Sequence, residues 1–151
     1  MNIPVRNIHP FDQSNVLWRT VEGVDHLWYY VCDVDEVNGS VDILFKFAAN
    51  QKIPLHRHKA DYRTFIIQGE LRIYRQNGEL KEVRPAGSYV MAKADGEPHT
   101  EGGGDVDVIA LFSNRNIKNG SIYEILDDDL NTVARFGVAE FKAFLELQKA
   151  A

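Results

Sequence analysis

Short runs of β-branched and aromatic residues recur along the chain, and turn-forming pairs separate them. Asn38-Gly39, Asn77-Gly78 and Asn119-Gly120 are such pairs, because asparagine and glycine tolerate the positive φ angles of a tight hairpin turn. The apolar runs span residues 27–34, 41–48, 64–67, 71–74, 88–92, 106–112 and 121–126, and further turns are predicted at 68–69, 85–87 and 102–104. Many short strands without alternating helices predict an antiparallel β-sandwich or barrel.

One stretch near the end of the chain has the spacing of an amphipathic helix. Val138, Phe141, Phe144 and Leu145 recur at three- and four-residue intervals, and Gly137 precedes them. We therefore predict a short helix over residues 138–149 that packs on a β core. Because the chain has 151 residues and contains neither a repeat nor a linker, it is predicted to form a single domain, 1–151.

Composition and charge exclude several classes of protein. With 44% hydrophobic and 26% charged residues, the chain can build a core, and its net charge of -5 disfavours nucleic acid as a partner. Its one cysteine, Cys32, cannot form an internal disulfide or a thiolate zinc site, and we expect it to be buried on one strand face with Tyr30 and Val34. No segment has the apolar character of a signal peptide or a membrane span, so a cytoplasmic protein is expected.

The five histidines are the most informative candidates for chemistry. His56 and His58 project from the same face if the segment is a strand, because residues i and i+2 share a face. His99 follows a turn at 96–98 and is a candidate third ligand, since neutral imidazole is the commonest metal ligand in proteins. His9 and His26 are expected to be surface or hydrogen-bonded histidines that bind no metal.

These residues resemble the two motifs of the cupin superfamily. The first motif has two histidines one residue apart, then a glutamate after three or four residues, then a glycine; here His56, His58 and Gly69 match, and Tyr62 stands in the glutamate place. The second motif has a glycine, two residues and a histidine, which Gly96 and His99 match.

The resemblance implies an RmlC-like fold: a small double-stranded β-helix (jelly-roll) barrel, often dimeric, with its core at about residues 40–113. It also implies one divalent metal ion held by His56, His58 and His99. Fe(II) is favoured, while Zn, Ni and Mn remain alternatives, because several metals suit imidazole ligands.

The missing glutamate bears on the chemistry. Asp61 is one residue short of its place and points to the other strand face if the strand has begun, so whether a carboxylate joins the metal stays open. Three neutral ligands leave the charge of a divalent ion uncompensated and favour an anionic, bidentate oxygen ligand, such as an enolate. The pattern is similar to the acetylacetone-cleaving and dihydroxyacetophenone-cleaving dioxygenases, which implies oxygen-dependent C–C cleavage of a small diketone or hydroxyketone.

Four other side chains are candidates near the metal. Arg63 either projects inward to orient an anionic substrate or lies on the surface as a paired strand arginine. Tyr62 either hydrogen-bonds a bound oxygen species or caps the core. Glu97 and Glu101 flank His99, and either one accepts the second N–H of a ligand histidine or lies in a surface turn.

Two other functions remain open. One is a non-catalytic sensor module that binds a metal or a small ligand, and the other is an isomerase or decarboxylase that uses its metal without oxygen. The expected partners are an anionic or enolisable carbonyl compound, O2 in the dioxygenase case, and a second copy of the chain in a homodimer.

Overall fold

The computed structural model describes residues 11–151. Residues 1–10, which include His9, lie outside the described residues. Twelve strands and one helix form the described part of the chain. The strands are β1 (Arg19–Val21), β2 (Val24–Asp35), β3 (Ser40–Phe47), β4 (His56–His58), β5 (Asp61–Gln68), β6 (Glu70–Arg75), β7 (Leu80–Pro85), β8 (Tyr89–Ala92), β9 (His99–Gly103), β10 (Val108–Arg115), β11 (Ser121–Leu126) and β12 (Thr132–Gly137), and the helix is α1 (Val138–Ala150).

The strands form two six-stranded sheets. One sheet has the order β1-β2-β3-β10-β5-β8 and the other has the order β12-β11-β4-β9-β6-β7. The pairs are antiparallel, and strands far apart in sequence are neighbours, as β3 and β10 are in the first sheet. Such long-range pairing wraps the two sheets around one interior. The prediction of an all-β jelly-roll barrel with a short C-terminal helix is confirmed.

The asparagine-glycine pairs form the predicted turns. Gly39 joins β2 to β3 with φ 66°, Gly78 joins β6 to β7 with φ 90°, and Gly120 precedes β11 with φ 71°. These are left-handed conformations that glycine adopts without steric cost. The turn prediction for residues 102–104 was wrong, because Gly102 and Gly103 lie within strand β9.

Strand β2 shows why the buried face of a strand cannot be identified without the tertiary structure. Leu27, Tyr29 and Val31 are buried, whereas Cys32 is exposed, so the prediction of a buried thiol was wrong. The run is apolar on both faces, and sequence alternation therefore does not identify the inward one. The face of β2 that meets the rest of the core decides it.

Helix α1 packs across β2 and closes one end of the barrel. Phe141 is buried, and Phe144 lies against Tyr29 with 5.0 Å between ring centroids. Gln148, also buried, accepts a hydrogen bond from Val31 N at 2.8 Å and donates one to Val31 O at 2.9 Å. The predicted helix is thus present and fastened to β2. Among the described residues, no helix has the length and apolar character needed to span a membrane.

Candidate metal centre

Three of the predicted site residues meet inside the barrel. His56 and His58 are the two inward-facing residues of β4, and both are buried. His99 begins β9 and lies directly opposite His56 in the strand register. The Nε2 atoms of His58 and His99 are 3.2 Å apart. The antiparallel pairing of β4 with β9 therefore brings together histidines that are 41 positions apart in sequence.

A carboxylate joins the three histidines. Glu101 is 2% exposed and lies two residues after His99 on β9, so both side chains point inward. Its Oε1 is 3.4 Å from His56 Nε2, and its Oε2 is 3.8 Å from His99 Nε2. One ligand atom from each of His56, His58, His99 and Glu101 lies within 4.8 Å of the other three. The site is therefore a buried group of three histidines and one glutamate that is able to hold a metal ion.

From the sequence, Glu101 was expected beside the site but not among the donors. There it was a candidate to accept the outer N–H of a ligand histidine, whereas in the structure it faces the same Nε2 atoms that converge on the centre. The signal that would have found it is the i, i+2 spacing of His99 and Glu101. This is the same argument that paired His56 with His58.

The hydrogen bonds of the donors fit a bound cation. His56 Nδ1 lies 2.9 Å from the carbonyl oxygen of Pro54, which has no proton to give, so Nδ1 carries the proton and Nε2 presents its lone pair. That lone pair faces the Glu101 carboxylate. Lone pairs turned toward one another repel unless a cation lies between them, and a divalent metal ion would remove this repulsion.

The protonation states also favour metal binding. Burial lowers the pKa of His58 well below its ordinary value, and the nearby His56 and His99 lower it further. Burial lowers the pKa of His99 to about 4. Burial raises the pKa of Glu101, but its contacts with His56 and His99 and the positive charge of Arg84 outweigh this effect and leave the pKa lowered. At neutral pH His58 and His99 are therefore neutral and the carboxyl is ionised, which are the forms that bind metals.

Aromatic side chains hold His58 in place. The ring of Tyr62 stacks on the His58 imidazole with 3.7 Å between centroids and 11° between planes. Tyr123 approaches the same imidazole edge-on, and its hydroxyl lies 3.2 Å from Oδ1 of the buried Asn114. His58 Nδ1 is the buried side-chain nitrogen or oxygen that lacks a hydrogen-bond partner among residues 11–151. On its Nδ1 side, packing rather than hydrogen bonding therefore orients this ring.

The backbone loop that precedes His99 is tied to the first histidine strand. Asp95 adopts a left-handed conformation with φ 62°, and its N–H donates to the carbonyl of His58 at 2.8 Å. The Asp95 carboxylate also pairs with Lys59, which follows β4 directly. These contacts set the position at which β9 begins, and so they place His99 opposite His56.

Other predicted candidates lie away from the centre. Arg63 is on the face of β5 opposite to Tyr62, where it pairs in register with the exposed Met91. Glu97 forms surface ion pairs with Arg75 and Lys81. The structure therefore brings Tyr62 to the site, but neither Arg63 nor Glu97 contacts the four donors.

Asp61 also lies away from the donors. Its carboxylate accepts hydrogen bonds from Ala94 N and from the Asn116 amide, each at 2.9 Å. The carboxylate of the site thus comes from the second histidine strand, at Glu101, rather than from the segment after the first histidine pair.

Arg84 is an inward cation that the sequence analysis missed. It lies on β7 and is 6% exposed, and it is bonded to Glu82 and to Thr64. Three of the four residues 81–84 are charged, which is typical of an exposed edge strand, so no local signal marks Arg84 as buried. Only the closure of the barrel shows that its side chain turns inward.

Two cavities of different character reach the four donors. A cavity of about 60 Å³ touches His56 and Glu101, and its walls are mainly apolar, including Phe45 and Phe141. A second cavity of about 250 Å³ touches His58 and His99, and charged side chains such as Arg84 form part of its wall. The donor group therefore has an apolar space on one side and a polar space on the other.

Comparison with protein families and solved structures agrees with this architecture. A family model described as the ChrR cupin-like domain matches residues 9–117. None of the curated proteins compared with the chain matches it. An RmlC-like cupin protein from Ralstonia eutropha is 24% identical, with a TM-score of 0.71 over 89% of this chain and 82% of that protein.

Two further structures represent different functions on the same fold. An acetylacetone dioxygenase from Acinetobacter johnsonii is 15% identical, with a TM-score of 0.66 over 97% of each chain. The anti-sigma protein ChrR from Rhodobacter sphaeroides, in complex with SigE, is 21% identical, with a TM-score of 0.53 over 66% of this chain and 49% of that one. At these identities the similarity shows the fold.

Proposed function

The chain belongs to the ChrR cupin-like family, and on this premise we propose that it is a metal-dependent dioxygenase that cleaves a C–C bond in a small enolisable carbonyl compound. His56, His58, His99 and Glu101 would hold the metal, with Fe(II) as the preferred ion. The observation that carries the proposal is the convergence of these four buried donors between two cavities. The three histidines are those that the sequence analysis chose.

Charge balance favours a monoanionic substrate. Three neutral imidazoles and one carboxylate leave a divalent ion with one uncompensated positive charge in a buried site, where charge is costly. The enolate of a β-diketone or of a hydroxyketone offers one negative charge and two oxygen donors, so it completes the balance. The sequence led us to expect an anionic ligand, and the charge of Glu101 implies that this ligand carries a single negative charge.

The choice of iron follows from the donor set and the reaction. Imidazole and carboxylate donors together suit Fe(II) oxygenase sites that keep positions open for substrate and O2. When bound, the ion would supply Lewis acidity toward the carbonyl oxygens and one-electron chemistry toward O2.

The chain's own residues would orient the substrate and exclude water. Pro54 fixes the tautomer of His56, so that Nε2 is available as a donor. Burial raises the pKa of Tyr62, so its phenol stays protonated at neutral pH and can donate a hydrogen bond into the polar cavity. The apolar cavity beside Glu101 would take a small alkyl substituent and keep water from the reacting carbon. The fold similarity to an acetylacetone dioxygenase over nearly the whole chain supports this reaction class.

Oxygen uptake by reconstituted protein tests the proposal. Metal-free protein is loaded with Fe(II) under nitrogen and mixed with air-saturated buffer and one member of a panel of β-diketones and aryl hydroxyketones. We expect substrate-dependent O2 consumption with two carbonyl fragments as products. His99→Ala is expected to abolish uptake, and His26→Asn, an exposed histidine outside the site, is expected to retain it. Absence of uptake above the metal-free control for every panel member would contradict the proposal.

A sensor module is the second candidate, and the family itself favours it. The ChrR structure similar to this chain is an anti-sigma protein in complex with its sigma factor. A sensor would hold a redox-inert ion such as Zn tightly and would turn over no substrate. Elemental analysis of the purified protein separates the two candidates: iron with turnover supports the oxygenase, and stoichiometric zinc without turnover with any metal supports the sensor.

A further inference from the structure

Arg84 is a buried cation that the metal centre itself does not require. Its side chain enters the barrel from β7, the edge strand of its sheet, and is 7% exposed. Taking a guanidinium out of water is costly unless ion pairs and hydrogen bonds compensate. A buried arginine that lines a cavity therefore either has all its N–H groups bonded by its neighbours or has donors left for an anion.

The neighbours of Arg84 use only part of its hydrogen-bonding capacity. Nε and Nη2 donate to the Glu82 carboxylate at 2.9 and 3.2 Å, and Nη1 donates to Thr64 Oγ1 at 2.9 Å. A guanidinium has five N–H donors. Among residues 11–151, these contacts hold the group rigidly and leave two donors, one on each terminal nitrogen. The Tyr62 hydroxyl also lies near the guanidinium, which counteracts part of the rise that burial causes in the pKa of Tyr62.

The cavity connects Arg84 with the metal centre. Its wall includes Arg84 together with His58, His99 and Tyr62. Its volume of about 250 Å³ accommodates a small organic molecule. The positive charge of Arg84 also contributes to lowering the pKa values of both His58 and His99, so the cation acts within the electrostatic range of the donors.

The charged side chains around this cavity favour the binding of an anion. Lys81 and Lys93 line it together with Arg84, and Glu82 and Glu97 are the acidic residues of its wall. Three cations face two carboxylates, so the wall carries a net charge of +1. Of the three cations, Arg84 is the buried one, whereas the Lys93 side chain is 90% exposed.

We propose that Arg84 is the anion-binding residue of the substrate site and receives a carboxylate of the substrate through its two remaining N–H donors. The inference rests on the proposed function and names the substrate class more closely: a small keto acid, with its enolisable carbonyl at the metal and its carboxylate at Arg84. A guanidinium binds a carboxylate through two parallel charge-assisted hydrogen bonds, and Glu82 and Thr64 orient the group for this contact.

Anion binding by metal-free protein tests the assignment independently of catalysis. Malonate is titrated by calorimetry into chelator-treated protein, and malonamide, a neutral molecule of the same shape, is the comparison ligand. We expect malonate to bind and malonamide to bind about tenfold more weakly or worse. Arg84→Gln is expected to lower malonate affinity by about tenfold or more. The matched control Arg135→Gln, at an exposed arginine outside this cavity, is expected to stay within about twofold of wild type.

A second variant keeps the test decisive if Arg84→Gln does not fold. Glu82→Gln keeps the shape of the partner but removes its charge, which frees Arg84 from its internal competitor. We expect this variant to bind malonate several times more tightly than wild type. Equal malonate affinity in wild type and Arg84→Gln, no malonate binding by wild type, or unchanged or weaker binding by folded Glu82→Gln would overturn the assignment.

The outcome is separable from that of the oxygenase proposal. Malonate binding is measured without metal, so a chain that binds malonate through Arg84 but consumes no O2 retains the anion site and loses the oxygenase function. If the protein consumes O2 with neutral diketones but does not bind malonate, the oxygenase proposal is supported and the anion-site proposal is contradicted.

Discussion

At the scale of single residues, the interior of this barrel holds more charge than an ordinary core. His56, His58, His99, Glu101 and Arg84 are all buried. Each buried ionisable group costs free energy unless a partner compensates it. Glu82 and Thr64 bond only some of the N–H groups of Arg84, and the four donors present lone pairs to one another. The buried groups that cost most free energy are therefore the ones expected to bind ligands: the four donors a metal cation, and Arg84 an anion.

Glu101→Gln tests whether the carboxylate is a metal ligand. Loss of the charge should lower the affinity for Fe(II) or Zn by about tenfold or more, because an amide oxygen is a weaker, neutral donor. Competition with a chromophoric chelator measures this affinity. Glu97→Gln is the matched control, since Glu97 is also two residues from His99 but forms surface ion pairs, and it should bind metal as wild type does. Equal affinities in the two variants would contradict the role of Glu101.

Asp61 should contribute to the acid sensitivity of the fold. Hydrogen bonds from the Ala94 N–H and from the Asn116 amide lower its pKa below the ordinary value of 3.8. A carboxyl whose pKa is lower in the folded state stabilises the fold above the unfolded pKa and loses this contribution as pH falls through the folded pKa.

We therefore expect Asp61→Asn to reduce stability at neutral pH and to match wild type more closely in acid. Urea unfolding at about pH 6 and at about pH 3 compares the free energy of unfolding above the unfolded pKa with that below it, where the contribution is already being lost. Asp105→Asn, at an exposed position, is the control. An Asp61→Asn variant that differs from wild type by the same amount at both pH values would contradict the prediction.

At the scale of elements, strand β9 links the fold to the site. It carries His99 and Glu101 inward and continues into Gly102 and Gly103, which pack against the segment before β4. The backbone approaches so closely that a Cβ on Gly102 would lie 1.7 Å from the carbonyl oxygen of Gln51. The glycines therefore let the chain before the first histidine pair run alongside the strand that carries the other two donors.

Gly102→Ala should destabilise the protein strongly because the clash is with backbone, which cannot turn aside. We expect a loss of about 3 kcal/mol or more in the free energy of unfolding, together with weaker metal binding. Gly78→Ala is the comparison, since its added Cβ meets nothing within 4 Å and only its φ of +90° is unfavourable. That variant should lose about 1 kcal/mol and keep its metal affinity. Equal losses in the two variants would contradict the packing argument.

The Gln148 side chain attaches helix α1 to β2 by making the two backbone hydrogen bonds that a neighbouring strand would make. The Gln148 amide makes both hydrogen bonds to the backbone of Val31. Gln148→Ala would leave a buried N–H and C=O unpaired, and it should cost about 2 kcal/mol in urea unfolding. Glu146→Ala changes an exposed residue of the same helix and should stay within about 0.5 kcal/mol of wild type. A Gln148→Ala variant as stable as wild type would show that the helix is held by its phenylalanines alone.

At the scale of the whole molecule, the homodimer stays a prediction, and the structure indicates a surface for it. Phe65, Tyr89 and Met91 are exposed by 42%, 56% and 66% on the outer face of β5 and β8. Within residues 11–151 strand β8 is an edge of its sheet, so its outer backbone groups could pair with a second copy of the same strand. An apolar outer face beside a free edge suits a symmetric interface.

Light scattering during gel filtration tests the dimer. We expect a mass of twice 17.2 kDa for wild type and 17.2 kDa for Met91→Lys. Val133→Lys introduces the same charge at the edge of the other sheet, where the exposed Val133 lies on β12, and should leave the dimer intact. A monomeric wild type, or a dimeric Met91→Lys, would contradict this interface.

Local pattern determined much of this protein from the sequence by itself. Asparagine-glycine pairs tolerate the positive φ angles that tight turns require, so the hairpins at Gly39 and Gly78 were predictable. The period of 3.6 residues predicted α1. The i, i+2 rule for strands placed His56 and His58 on one face, and the cupin motifs supplied His99. Apart from the motif resemblance, these signals lie within a few residues of one another and depend only on backbone geometry.

The tertiary structure decided what depends on partners distant in sequence. It decided that Glu101 completes the donor group, that Arg84 turns inward while Arg63 turns outward, and that Cys32 is exposed. The local sequence around Arg84 is that of a solvated edge strand, and the run around Cys32 is apolar on both faces. Strand alternation defines two faces but does not say which one is covered. Only the packing of two sheets whose neighbouring strands are far apart in the chain makes that choice.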